Sequence, residues 1–283
     1  MDFSINKLPK NVSEVVICVP WKKVKDTYEI MILEVISNAE IKGFRKGKAP
    51  RDLVEKNLNK EQFNEEIINK ILPEVYQETL NKFNLKPVIY PRIEILSKNE
   101  NEEWKIKLMV CEKPEVQLKS YKDELSSKKA KEKIWIPGQE EKPQEKPEDK
   151  NKKLSDNLAF LVQYCIVDVS DLLIEDEMTK LLSQLLEEVK KLGLSLDQYI
   201  ASTHKTIDSL RNEYKEKAEQ SLKLEFIISA IADGENIVIG DAEIKEAIKD
   251  VADEKLKKEL ESSNYQLAGL LRRQKTLDFI ANL

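Results

Sequence analysis

Five cations, Lys42, Arg45, Lys46, Lys48 and Arg51, fall between Ile41 and Arg51 with no carboxylate among them, in a 283-residue chain of formal net charge -5. Phe44 stands beside them. Such residues break no bonds. They recognise: ammonium and guanidinium groups neutralise phosphates and release counterions, and an aromatic ring held in solvent fills an apolar notch, the two surfaces a ribonucleoprotein offers. Gly43 and Gly47 permit backbone angles closed to other residues, and Pro50 suits the first position of a helix from Pro50 to Asn57. The same residues also fit a plain solvated loop with Phe44 tucked into the core, and composition alone leaves both readings open.

Elsewhere the residues that carry catalysis are thin. His204, the one histidine, lies between Thr203 and Lys205 with no partner in the sequence, which suits a surface or capping position. Cys18, Cys111 and Cys165 are odd in number and widely spaced, against both a disulfide framework and a zinc site. Neither Gly-x-x-x-x-Gly-Lys-Ser/Thr nor Gly-x-Gly-x-x-Gly occurs. Carboxylates such as Glu175, Asp176, Glu177, Glu187 and Glu188 follow helix surfaces, as solvated faces do. The expectation is a protein without catalytic residues, metal or other cofactor, and without ATP use. Met1 to Pro20 lacks the pattern of an export signal and no apolar run reaches membrane-spanning length, so a soluble, cytoplasmic chain without a membrane partner is expected.

The elements that must hold the basic loop are legible around it. Ser13 to Pro20 reads as a strand, with Met1 to Leu8 beside it. Val24, Tyr28, Ile32, Val35 and Ile36 recur at helical spacing from Trp21 to Asn38, leading into the loop. Glu61 to Phe83 is a second helix with Phe63, Ile67, Ile71, Val75 and Leu80 inward and a kink expected at Pro73. Leu85 to Leu96 and Glu103 to Val110 read as strands about a turn at Asn99 to Asn101. Residues 1–119 thus form an α+β domain. Residues 120–153, with prolines every few positions after Pro137, read as an extended linker whose apolar island, Ile134-Trp135-Ile136, either docks on a domain or binds a client. Residues 154–283 read as all-α and acidic, with 25 Asp plus Glu against 16 Lys plus Arg, so contact with nucleic acid belongs to the first domain. Long helices are expected from about Ser170 to Gly193 and Thr206 to Asp233, with a capping box at Ser195 to Gln198 and a last helix from Tyr265 to Asn282.

Gly43-Phe44-Arg45-Lys46-Gly47-Lys48-Ala49-Pro50 resembles the ribosome-docking signature of the trigger factor family, bacterial chaperones at the ribosomal exit tunnel; Ala49 stands where the family commonly has another small or aliphatic residue. The order of strand, helices and closing hairpin through Val116 resembles that family's ribosome-binding domain. Leu172 to Met178, Gly193 to Tyr199, Ile231 to Ile237 and Leu270 to Lys275 resemble its helical body and arms. The resemblance implies an ATP-independent chaperone that docks through Gly43, Phe44, Arg45, Lys46, Gly47, Lys48 and Pro50, with Lys48 and Arg51 attracting phosphate. Its implied partners are the large ribosomal subunit, through protein and rRNA, and unfolded nascent chains held by extended helical arms, with Met178, Leu182, Leu186 and Phe226 as candidate client contacts. Two features depart from the family. Ser170 stands where proline is frequent, and about thirty residues of linker occupy the place of a prolyl isomerase domain of about a hundred. Isomerase activity is therefore not expected, although it remains an alternative, as does a holding chaperone that works off the ribosome, as a homodimer or otherwise.

Overall fold

The computed structural model describes residues 1–40, 44–132, 147–203, 205–249 and 264–283, in two compact units, Met1–Lys113 and Pro114–Leu283. Ile41, Lys42, Gly43, the Ile134-Trp135-Ile136 island with most of the Pro-rich run, and His204 lie outside the described residues.

The first unit is a four-stranded antiparallel sheet backed by helices. Strands β1 (Asp2–Leu8), β2 (Val12–Val19), β3 (Arg92–Ser97) and β4 (Trp104–Cys111) lie in the order β1-β2-β4-β3. Val15, Ile17 and Val19 of β2 alternate with more exposed residues, as do Ile106, Leu108 and Val110 of β4, so one face of the sheet is apolar. Helices α1 (Trp21–Asn38) and α3 (Lys60–Phe83) cover that face, with α2 (Arg51–Asn57) between them in sequence. Val24, Met31 and Ile32 of α1 and Phe63, Ile67, Ile71 and Val75 of α3 complete the core, and Tyr28 meets Phe63 edge-on with ring centroids 5.2 Å apart. Removing one of the fully buried aliphatics, Ile17 or Ile67, would cost about 2–5 kcal/mol. Asn59 caps α3 by accepting from the Glu61 and Gln62 amides, and Asn84, left-handed at φ 51°, ends it. The strand expected from Leu85 starts only at Arg92. Before it, only one isolated bridge, Pro87 to Glu112, is made, and Pro87 and Pro91 have no amide hydrogen to continue a ladder.

In the second unit the long helices dominate. The segment expected to open a linker at residue 120 folds instead as α4 (Tyr121–Glu132), because Tyr121 and Leu125 are buried and Tyr121 donates to Glu235 at 2.9 Å. Structure resumes at α5 (Pro147–Tyr164), before the expected Leu154. The unit is not wholly helical: β5 (Val116–Gln117) pairs antiparallel with β6 (Ile166–Val167). Next come α6 (Asp171–Lys191), α7 (Leu196–Thr203), α8 (Ile207–Gly234), α9 (Asp241–Lys249) and α10 (Asn264–Asn282). Ser170 caps α6 through the Leu173 amide at 3.3 Å, doing by hydrogen bond what a proline at that site would do by restricting φ. Gly193 at φ +73° closes α6, with Leu194 N bonded to Val189 O and Gly193 N to Lys190 O, the paired bonds of a Schellman motif. The capping box is reciprocal: Gln198 N donates to Ser195 Oγ at 3.2 Å and Ser195 N to Gln198 Oε1 at 2.9 Å. Leu161, Ile227, Ile231 and Ile280 anchor the core, where Asn157 donates to the Ile280 carbonyl at 2.9 Å.

Candidate functional site

Local bonds shape the basic loop before any partner arrives. The last turn of α1 is tightened by Ser37 Oγ and Asn38 Nδ2, which donate to Glu34 O at 2.7 and 3.1 Å, and Ala39 ends it. Gly47 N then reaches back to Ala39 O at 3.2 Å, and Lys48 N bonds Arg45 O at 2.9 Å. Gly47 sits third in that turn at φ +74°, the left-handed position that a type II turn requires. A Cβ there would come within 2.9 Å of the Ser37 carbonyl oxygen, so glycine is needed for space as well as conformation. Ala49 is buried beneath the turn, and Pro50, at φ -59°, precedes α2 instead of opening it as its first helical residue.

This frame leaves Phe44 at 43% exposure, outside the core, with Arg45, Lys46 and Lys48 exposed around it. Lys46 has a distant companion in Glu40 at 3.7 Å, an exposed pair that a phosphate can displace. Arg51 behaves differently. Its Nε donates to Glu55 Oε1 at 2.6 Å, and its Nη1 and Nη2 donate to the two oxygens of Glu29 at 2.7 and 2.9 Å. The Tyr28 hydroxyl donates to Glu55 at 3.3 Å, and burial pushes that phenol's pKa up. The Arg51 guanidinium holds Glu29 below the usual carboxylate range. Arg51 thus ties α2 to α1, and a phosphate would have to compete with these two carboxylates for it. Sequence proximity hid this, because Glu29 lies on the preceding helix and Glu55 one turn further on.

In the second unit, α6 and α8 run antiparallel with α7 at their far end, and Leu185, Val189 and Leu210 form a small core there with Tyr199 and Tyr214. Beside it lies a cleft of about 330 Å³ lined by Met178, Leu182, Leu185 and Leu186 of α6, Leu196 and Ile200 of α7, and Ile207, Leu210 and Arg211 of α8. Three of the four candidate client contacts gather there: Met178 as buried floor, Leu182 half-buried, Leu186 exposed. Phe226 does not. It is buried with Ile227, Ile228 and Ile231 in the core at the other end of α8. Leu196, Ile200 and Ile207 were missed; the four-residue spacing of the first two behind a capping box was the available signal.

Among the described residues no group of three or more His, Cys, Asp or Glu could hold a metal ion, and no helix is long and apolar enough to cross a membrane. Comparison with known proteins is consistent across the chain. The trigger factor of Carboxydothermus hydrogenoformans is 26% identical over 413 residues, covering 96% of this chain and 97% of that protein. The trigger factor of Natranaerobius thermophilus is 35% identical over 122 residues, covering 43% of this chain and 27% of its own. A solved structure described as "Promiscuous Substrate Recognition in Folding and Assembly Activities of the Trigger Factor Chaperone" shares the fold at a TM-score of 0.63 and 15% identity, covering 100% of this chain and 99% of that one. The family model "Bacterial trigger factor protein (TF)" matches residues 1–136, and "Bacterial trigger factor protein (TF) C-terminus" matches residues 126–282. With both models matched in order over nearly the whole length, the chain belongs to the trigger factor family.

Proposed function

We propose that this protein is an ATP-independent cytoplasmic chaperone that docks on the large ribosomal subunit at the tunnel exit, through protein and rRNA, and holds unfolded nascent chains while they fold. The observation that carries the reading is the loop from Phe44 to Pro50: a ring in solvent and three exposed cations, held by a glycine turn that no other residue type fits. Gly43 is included by resemblance. Few cations imply weak, salt-sensitive and reversible attachment, which suits a factor that must leave as each chain is released. The cleft at the α6–α8 end supports holding, since an apolar surface with Leu and Met side chains adapts to many sequences without reading any one.

No isomerase step is part of the proposal. The matched regions, 1–136 and 126–282, meet without an interval for a further domain of about a hundred residues. A refolding reaction limited by proline isomerisation should run at its uncatalysed rate in the presence of this chain.

Co-sedimentation with vacant bacterial ribosomes tests the docking. The native chain should pellet at low salt and be released at high salt, whereas a Phe44→Ala, Arg45→Ala, Lys46→Ala triple variant should stay in the supernatant. Equal behaviour of the two proteins removes the ribosome from the account. The cleft would then favour the second reading, a holding chaperone that works off the ribosome, alone or as a dimer.

A further inference from the structure

Helix α1 leaves two large aliphatic side chains in water, Ile30 at 57% and Leu33 at 62% exposure. Neither serves the core, which takes Val24, Met31 and Ile32 from the opposite face with Tyr28, Val35 and Ile36 at its margin. Spacing of three and then four residues puts Ile30, Leu33 and Ser37 on one stripe, about 10 Å long. The stripe runs into the basic loop, because it is the Ser37 carbonyl against which Gly47 packs. Its charged neighbours on α1 are acidic. Asp26 and Glu34 are exposed along it and Glu40 follows it, while the lysines of α1, at positions 22, 23 and 25, all precede it.

Two surfaces of opposite character therefore meet at Gly47. One is cationic with an exposed ring; the other is aliphatic with an acidic rim. A phosphate backbone fits the first and is repelled by the second. A second copy of α1 is disfavoured too, since a two-fold contact through the stripe would bring Asp26 and Glu34 towards their own copies. We propose that the α1 stripe extends the protein-reading side of the docking surface beyond Phe44, taking a basic protein with an exposed aliphatic side chain through Ile30 and Leu33, beside the loop cations that take phosphate. This rests on the docking reading above. It goes beyond it in assigning a partner to residues outside the loop.

Two variants of the full chain, tested on vacant ribosomes across a salt series, decide it. Ile30→Ser with Leu33→Ser should weaken co-sedimentation about tenfold and leave the slope of log affinity against log salt unchanged, since no cation is lost. Asp26→Lys with Glu34→Lys, which cannot uncover any core residue, should also weaken binding. Unchanged melting temperatures would exclude misfolding as the cause. Native-like binding by both variants, or tighter binding after the charge reversal, overturns the proposal, the latter because it would put RNA against the stripe. An effect seen only with ribosomes carrying nascent chains, or only on self-association of the free protein, overturns it in favour of a client or a second copy. If the native chain itself fails to pellet, the docking reading falls first, and the two failures are thereby distinguished.

Discussion

Exchange of Arg51 for methionine separates bracing from phosphate binding. Three N–H groups of its guanidinium already point at Glu29 and Glu55, so an incoming phosphate would have to compete with two carboxylates at 2.6–2.9 Å. Each phosphate contact contributes roughly 0.7–0.9 to the slope of log affinity against log salt. Arg45, Lys46 and Lys48 together should give a slope of about -2 to -3, and an Arg51 contact would steepen it by nearly one. Lys42 would add the same amount on either account. Co-sedimentation with ribosomes over a series of salt concentrations measures the slope directly. The brace predicts that Arg51→Met lowers affinity severalfold without changing the slope, whereas Arg45→Ala flattens it by roughly 0.7–0.9. Glu29→Gln sharpens the test. If Arg51 is a brace, this variant weakens docking as Arg51→Met does; if Arg51 binds phosphate, removing a competing carboxylate tightens it. A flatter slope in Arg51→Met combined with tighter binding in Glu29→Gln would refute the brace.

Further outcomes follow from the same geometry. Gly47→Ala forces a Cβ to 2.9 Å from Ser37 O at φ +74°, so it should lose about 1–2 kcal/mol in conformation alone, read as a lower melting temperature together with lost docking. Phe226→Ala should destabilise the second unit by about 3–5 kcal/mol, while Leu186→Ser should leave melting unchanged and impair suppression of client aggregation; the reverse pattern would relocate the client surface. Glu213, between Lys205 and Lys217, has its pKa lowered to about 2, first by the hydrogen bond from Lys205, so its contribution to stability is complete above its ordinary 4.5 and fades as pH falls towards 2. Glu213→Gln should flatten acid unfolding in that window, and an unchanged profile would mean the pair contributes nothing in solution.

Helices were legible where their own residues decide them. Trp21 to Asn38, the capping box at Ser195 and the stop at Gly193 need only local spacing and backbone preference, and all three stand as read. What required tertiary information was not visible. Leu85 to Pro91 alternates like a strand, but its prolines have no donors for a ladder. Tyr121 to Glu132 looks too polar to fold, yet a buried Tyr121 and Leu125 and the bonds from Tyr121 and Lys122 to Glu235, more than a hundred residues on, hold it. The loop showed the same division. Its cations and glycines were plain, whereas the partners of Arg51 emerged only when α1 and α2 were brought side by side.

The cleft in the second unit has a simple physical origin in helices of unequal cover. Near its C-terminal end α8 packs against α5 and α10, with Arg272 bonded to Asp233 and Arg273 paired with Glu225, so aliphatic residues such as Ile227 and Ile231 are fully enclosed. Towards its N-terminal end the same helix has, among the described residues, only α6 and the short α7 beside it, yet the apolar spacing on α6 continues through Leu182, Leu185 and Leu186 without interruption. A long helix pair with one short helix at its end covers less than helices packed along their length do, and the surplus apolar surface becomes the cleft rather than core. This explains why Met178 and Leu186, on one face of one helix, end in different environments, and why Phe226 resembled a client contact in sequence while belonging to the covered end. An apolar cleft made in this way carries no motif of its own, because it is the core pattern extended past the helices that would bury it.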